Sequence, residues 1–144
     1  MQPVMTAREL EAFLSREFPQ VAGDFAVEEV QSNRARIRFR VADRHLRPGG
    51  TVSGPSIFAL ADVAMYLALL AMIGPEALAV TTNCAIDFMR KPAAEADLIA
   101  QARILKLGRV LAVGDVLVFS DGTETPVARA SLTYSIPPRK AATA

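Results

Sequence analysis

Ser56-Ile-Phe-Ala-Leu-Ala-Asp-Val-Ala-Met-Tyr-Leu-Ala-Leu-Leu-Ala-Met-Ile73 is the stretch that decides the fold. Its apolar residues leave no polar stripe, so a helix built from it is greasy on nearly every side and has to be buried. At about 18 residues it approaches the length that spans a bilayer. Asp62 in its middle, and the strand-rich sequence that follows, favour instead a helix enclosed by a soluble fold. Burying an unpaired ionised carboxylate costs several kcal/mol or more. Asp62 therefore either has dedicated partners or faces a wet cleft where its charge is used.

Reading outward, the helix is preceded by His45-Leu-Arg-Pro-Gly-Gly-Thr-Val-Ser-Gly-Pro55, a turn-rich connection in which His45 reads as a surface turn residue. Ser53 or Gly54 caps the helix and Pro55 falls in its first turn, where a missing N–H costs nothing. Gly74-Pro75 stops it. Further upstream, Thr6-Ala-Arg-Glu9 matches a capping box, and Leu10, Phe13, Leu14 and Phe18 follow at helical spacing until Pro19. Phe25–Gln31 reads as a strand. Arg34–Val41 alternates, with Ala35, Ile37, Phe39 and Val41 inward and Arg34, Arg36, Arg38 and Arg40 outward. Downstream, Val80–Met89, Asp97–Leu107, Arg109–Phe119 and Pro126–Ile136 are β-runs, with hairpin turns at Gly108 and Ser120-Asp-Gly122. One apolar helix among mostly antiparallel strands must be wrapped by the sheet. The expected fold class is α+β, a curved antiparallel sheet around a long central helix, in a single domain over residues 1–144 whose end (136–144) frays.

Composition excludes several kinds of chemistry. Lys and Arg number 16 against 15 Asp and Glu, a net charge of +1, which provides no general field for nucleic acid or an anionic membrane. The arginine comb on the second strand lacks the stacking aromatics that single-stranded nucleic acid requires. The lone Cys84 forbids an internal disulfide or a cysteine metal cluster. With no signal-peptide pattern at the N-terminus, this points to the cytoplasm. A single histidine leaves no zinc ligand set, and neither a dinucleotide fingerprint nor a P-loop is present. What remains is carboxylate, hydroxyl, amide and backbone-dipole chemistry. The 51% hydrophobic content is high for a lone domain of 144 residues, so further surface is expected to be covered by subunit contacts.

From about Leu46 to Ile136 the chain resembles the hotdog-fold acyl-CoA thioesterases of the phenylacetic acid degradation (PaaI-like) branch. The resemblance rests on Gly50-Thr-Val-Ser-Gly-Pro55 leading into Leu60-Ala-Asp-Val-Ala64, Val80-Thr-Thr-Asn, and Ile86-Asp-Phe-Met-Arg-Lys-Pro92. It continues through Leu107-Gly-Arg109, Asp121-Gly122 and Val127-Ala-Arg-Ala130. The family pattern before the helix is Asn-x-x-Gly-x-x-His-Gly-Gly. Gly50 and Gly54 match it, whereas Arg47, Ser53 and Pro55 stand where the family has Asn, His and the last Gly. The resemblance implies a hotdog fold, an acyl-CoA thioester substrate and no cofactor beyond the coenzyme A of that substrate. It also implies a homodimer with the site between subunits, often paired into a homotetramer. Residue by residue, Asp62 falls on the catalytic carboxylate and Gly54 on the backbone oxyanion donor. Thr81 falls on a hydroxyl that orients the carboxylate or the water.

Elementary chemistry agrees with that assignment. Thioester hydrolysis needs a base or nucleophile and donors for the developing oxyanion, and a carboxylate can act in either role. An amide at a helix N-terminus favours negative charge. Pro55 lacks an N–H, so Gly54 has to be the donor, with Ser53 beside it. Gly54 and Asp62 are eight residues apart, about 12 Å along a helix, which suits two subunits better than one. Thr81 and Asn83, two apart on a strand, are expected on one face, where they would orient the carboxylate or water. Arg90, Lys91 and Arg109, at strand ends and a turn, are candidates for the coenzyme A phosphates. Arg47, Pro55 and Tyr66 complete the candidate substrate contacts. Each has a plain structural alternative: Ser53 and Gly54 as a cap, Thr81 and Asn83 as strand polar groups, Tyr66 as packing, Arg47 as a loop charge and Asp62 as a hydrogen-bonded core aspartate. A non-catalytic acyl-CoA-binding protein is the alternative function.

Overall fold

In the computed structural model, residues 1–138 are described. The chain opens with α1 (Ala7–Glu17), where Thr6 and Glu9 form the expected capping box, followed by a short α2 (Pro19–Ala22). Strands β1 (Phe25–Gln31) and β2 (Arg34–Phe39) come next, then a 3-10 turn at Asp43–His45 and the long helix α3 (Gly54–Ile73). Strands β3 (Val80–Phe88), β4 (Leu98–Leu107), β5 (Leu111–Ser120) and β6 (Ala128–Ser135) complete the fold. They form one six-stranded sheet in the order β1-β2-β4-β5-β6-β3, antiparallel at every junction. The sheet curls round α3, the hotdog arrangement that the resemblance implies.

Hydrophobic burial places the helix. From Leu60 to Met72 every residue of α3 except Asp62 and Tyr66 is buried, packed mainly against β4, β2 and β5. The inward rows of the sheet (Ala35, Ile37 and Phe39 on β2; Ala100, Ala102 and Ile104 on β4) meet it as the alternation predicts. Small residues let the sheet come close. A Cβ on Gly114 would lie 2.4 Å from the Arg103 carbonyl oxygen and 2.4 Å from the Met65 methyl. The methyl can swing away, but the carbonyl belongs to the ladder and cannot. Gly114→Ala is therefore expected to cost about 1–3 kcal/mol, the usual penalty of overpacking. It should appear as a lower urea midpoint at unchanged slope.

Two of the four outward arginines, Arg36 and Arg38, are paired with carboxylates. Arg38 bonds Glu28 (2.6 Å), Asp121 (2.8 Å) and Asp97 (3.1 Å), while Arg36 bonds Glu28 at 3.0 Å. Burial alone would raise the Glu28 carboxyl, but the two guanidiniums outweigh it and hold the carboxyl below its ordinary value. The chain end also departs from expectation. Ile136 is buried and its N–H donates to the Val110 carbonyl at 2.7 Å, so fraying does not begin at 136. The remainder of that expected tail, 139–144, lies outside the described residues.

One strand is left uncovered. β3 lies at the sheet edge, and none of its residues is fully buried. Val80 is 56% exposed, Phe88 52% and the following Met89 41%. On α3 the adjoining open stripe runs through Pro55, Phe58, Ala59, Asp62 and Tyr66, all exposed or half-buried. An open edge strand of nine residues with exposed apolar groups at both ends, beside a largely apolar open stripe, is a surface that proteins normally cover.

Candidate active site

Asp62 sits on that open stripe in the N-terminal half of α3, half-buried. The helix carries it under the edge of the sheet, where β3 and β6 pair with Thr81 directly opposite Tyr134. Facing residues of an antiparallel pair point to the same side of the sheet, here toward the helix. Both hydroxyls converge on one carboxylate oxygen: Thr81 Oγ1 donates to Asp62 Oδ1 at 2.5 Å, and Tyr134 Oη donates to it at 2.6 Å. Tyr134 Oη is also 3.0 Å from the Asp62 main-chain carbonyl. Among the described residues nothing donates to Oδ2. The carboxylate thus has dedicated partners on one oxygen and an open second oxygen. The first alternative raised by the sequence, dedicated partners, holds for Oδ1.

Tyr134 is a site residue that the sequence does not single out. Its ring is 3% exposed and leans on Tyr66, with centroids 6.1 Å apart. Burial pushes the phenol well above its ordinary value, and the Asp62 charge beside it adds to the shift. Tyr134 therefore stays protonated and serves as a donor, not as a base. Cys84, further along β3, has its thiol raised by burial and secondarily by the charge of Asp62, so it is a neutral wall of the site. Tyr66 uses its own hydroxyl on the Ala77 carbonyl (3.0 Å) and packs between Phe13 and Tyr134. Within this chain its contacts are those of a support.

Asn83 needs correction. Strand alternation would set it beside Thr81, but the ladder slips between Thr81 and Asn83, leaving Thr82 as the extra residue of a bulge. Asn83 therefore pairs with Thr133, the neighbour of Tyr134 on the opposite face of β6. The bulge turns Asn83 away from Asp62, and the two are not brought together within the chain.

At the other end of the site, Ser53 is the N-cap of α3. Its Oγ accepts from the Ser56 amide (3.3 Å) and donates to Ser56 Oγ (3.0 Å). Gly54 follows as the first helical residue, so its N–H has no acceptor within the helix, and Pro55 is exposed in the first turn. The Phe88 ring lies over Gly54, 3.5 Å from where a Cβ would stand. β3 thus runs antiparallel to α3, with Thr81 at the Asp62 end and Phe88 at the Gly54 end. Arg90 and Lys91 come directly after this strand and are exposed, with Arg90 Nη1 donating to the Pro126 carbonyl at 2.9 Å. Arg47 is exposed on the loop before α3, and Arg109 is exposed in the β4–β5 turn. Neither touches Asp62 or Gly54.

His45 is the second correction. It is 6% exposed, its ring packed at a tilt against Phe39 at 4.4 Å between centroids, and not a surface turn residue.

The chain matches the thioesterase superfamily over residues 49–127. Among solved structures, a candidate thioesterase from Silicibacter sp. TM1040 is 57% identical, with 96% of each chain covered and a TM-score of 0.90. A mutant of the phenylacetic acid degradation protein PaaI from Thermus thermophilus is 31% identical over 83% of this chain and 99% of its own, with a TM-score of 0.71. A hypothetical thioesterase from Streptococcus pneumoniae TIGR4, solved with coenzyme A, shares the fold at 17% identity, 92% and 99% coverage and a TM-score of 0.75. No curated protein of matching sequence was found. A lone carboxylate on the buried helix of a hotdog sheet, the matched segment that carries it and a near-full-length relative at 57% identity lead to one conclusion: the chain belongs to the thioesterase superfamily.

Proposed function

We propose that this protein is a cytoplasmic acyl-CoA thioesterase of the PaaI-like branch, hydrolysing an acyl- or aryl-CoA to the free acid and coenzyme A. The observation that carries the reading is the half-used carboxylate. Oδ1 is held by Thr81 and Tyr134, which fixes the plane of the group, while Oδ2 is left for chemistry. That oxygen either takes a proton from water or attacks the thioester carbonyl itself. The developing oxyanion is received by the Gly54 amide, which the start of α3 leaves unpaired and the helix dipole supports. The relatives lend support to the ligand class, since the Streptococcus pneumoniae protein was solved with coenzyme A. Likeness to PaaI supports the branch. Arg90 and Lys91, beside the Gly54 end of β3, and Arg109 are the cations we assign to the phosphates.

The working unit in this reading is a homodimer, paired again into a homotetramer. Gly54 and Asp62 of one chain are separated by about 12 Å of helix, too far to meet at one carbonyl. Antiparallel pairing of β3 with β3 of a second copy would set the Gly54 end of one chain beside the Asp62 end of the other. The same pairing would cover the apolar edge of Val80, Phe88 and Met89. A non-hydrolytic acyl-CoA-binding protein is the second reading, favoured by Ser53 and Pro55 where the family has His and Gly. Release of free thiol from a panel of aryl- and fatty acyl-CoA substrates, run with sedimentation analysis, separates the two. Turnover by a dimer or tetramer supports the proposal. Tight acyl-CoA binding with no thiol release at saturating protein would leave only the second reading.

A further inference from the structure

The loop that delivers Gly54 is a small hairpin, and its base is built on His45. Leu46 and Val52 bridge antiparallel, the Arg47 N–H donates to the Thr51 carbonyl (2.9 Å), and Gly50 turns the tip with its N–H on the Arg47 carbonyl (3.0 Å). The last rung before the helix is the Ser53 N–H on the His45 carbonyl, at 2.8 Å. Ser53 caps α3, and Gly54 is the next residue. Whatever fixes His45 therefore fixes the peptide that presents the Gly54 amide.

Three contacts fix His45. Its ring is buried against Phe39. Nδ1 accepts the Ala42 N–H at 2.8 Å, which leaves the proton of the neutral ring on Nε2. Nε2 faces Asp24 Oδ2 at 3.3 Å, within ion-pair distance though not aligned as a hydrogen bond. Asp24 is itself held by Arg44 through its other oxygen, and its carbonyl accepts the Arg40 N–H at 2.8 Å. Both ring nitrogens face inward to protein groups, so neither is offered to a substrate. A burial this specific is more than a turn requires.

We infer that His45, backed by Asp24, is a positioning residue for the Gly54 amide: it clamps the base of the 46–52 hairpin so that the oxyanion donor stands at a fixed place. The inference rests on the proposed role of Gly54, and the His45 side chain makes no contact with the reacting atoms.

The test combines kinetics with a measurement that needs no catalysis. In His45→Ala, kcat should fall about 10- to 100-fold, the scale of a misplacement of about 1 Å, with KM changed no more than about threefold. Hydrogen exchange at the Ser53 amide should speed up by about tenfold or more as its rung loosens. In His45→Asn, whose Oδ1 can accept the Ala42 N–H, most of kcat and of the protection should return. Asp24→Asn reads the same link from the other side and serves if His45→Ala does not fold. Unchanged kcat and unchanged Ser53 exchange in the folded variants would overturn the inference, as would equal losses in His45→Asn and His45→Ala that follow thermal stability alone. If the wild-type protein releases no thiol, the thioesterase reading fails on its own, and Ser53 exchange together with the Gly54 amide chemical shift still decides whether His45 sets the loop.

Discussion

Asp62→Asn is expected to lower thioester turnover by roughly 10²- to 10⁴-fold, the range in which a positioned base contributes, while leaving the fold and acyl-CoA binding in place. The reason lies in the division of labour between the two oxygens. The amide oxygen of Asn can still accept from Thr81 and Tyr134, whose bonds at 2.5 and 2.6 Å both fall on Oδ1. The amide nitrogen would replace Oδ2, and it can neither take a proton from water nor attack a carbonyl. Thermal unfolding of the variant should stay close to wild type, and its affinity for a non-hydrolysable acyl-CoA analogue should be retained. Residual activity should come from the Gly54 amide, since oxyanion donors act without the base. A variant that keeps wild-type turnover across the acyl-CoA panel would remove Asp62 from the mechanism. Single-turnover hydrolysis in heavy-oxygen water then tests the nucleophilic role: label in the protein after the reaction marks a covalent anhydride opened at the Asp62 carboxyl carbon, whereas label only in the product acid marks water attack on the acyl carbon.

How much of this is legible in the sequence depends on the distance over which each signal acts. The helix and strands are readable because burial writes its period into neighbouring residues: Leu60 to Met72 has no polar face, and Arg34 to Val41 alternates. Asp62 stands out because a charge among apolar neighbours is a local anomaly. Thr81 comes only through the likeness to a family. Tyr134 carries no local anomaly at all. It is an inward aromatic in a regular strand, and its bond to Asp62 spans 72 residues of sequence, which nothing in either neighbourhood announces. Asn83 is misplaced by the sequence for a related reason: period-2 reasoning assumes an unbroken ladder, and a single extra residue at Thr82 inverts the face of everything after it. His45 misleads because Pro48, Gly49 and Gly50 mark a turn, and turns are usually exposed. This hairpin instead folds back on its own base, where Phe39 receives the ring.

Tyr134→Phe is expected to reduce kcat by about 10- to 100-fold, with KM nearly unchanged, a loss of roughly 1.4–2.8 kcal/mol of transition-state stabilisation. The substitution removes one oxygen and keeps the ring that packs on Tyr66, so the core loses little volume. What is lost is one of two donors on Oδ1. Hydrogen bonds to a charged group are worth about 1.5–3 kcal/mol, and this one also fixes which way Oδ2 faces. Thr81→Val removes the other donor with an isosteric side chain and should cost a similar factor. Because the two hydroxyls serve one oxygen from facing positions on neighbouring strands, their effects should not add. With either donor gone the carboxylate is already free to turn, so the double variant should fall by clearly less than the product of the single losses, which a double-mutant cycle measures directly. Additive losses would mean that each hydroxyl acts separately on the substrate. No loss from either would mean that the carboxylate is positioned by its helix alone. Burial holds the Tyr134 phenol above its ordinary value, with the Asp62 charge adding to it. The wild-type rate should therefore show no alkaline fall from tyrosine ionisation at pH values where an exposed tyrosine has begun to lose its proton.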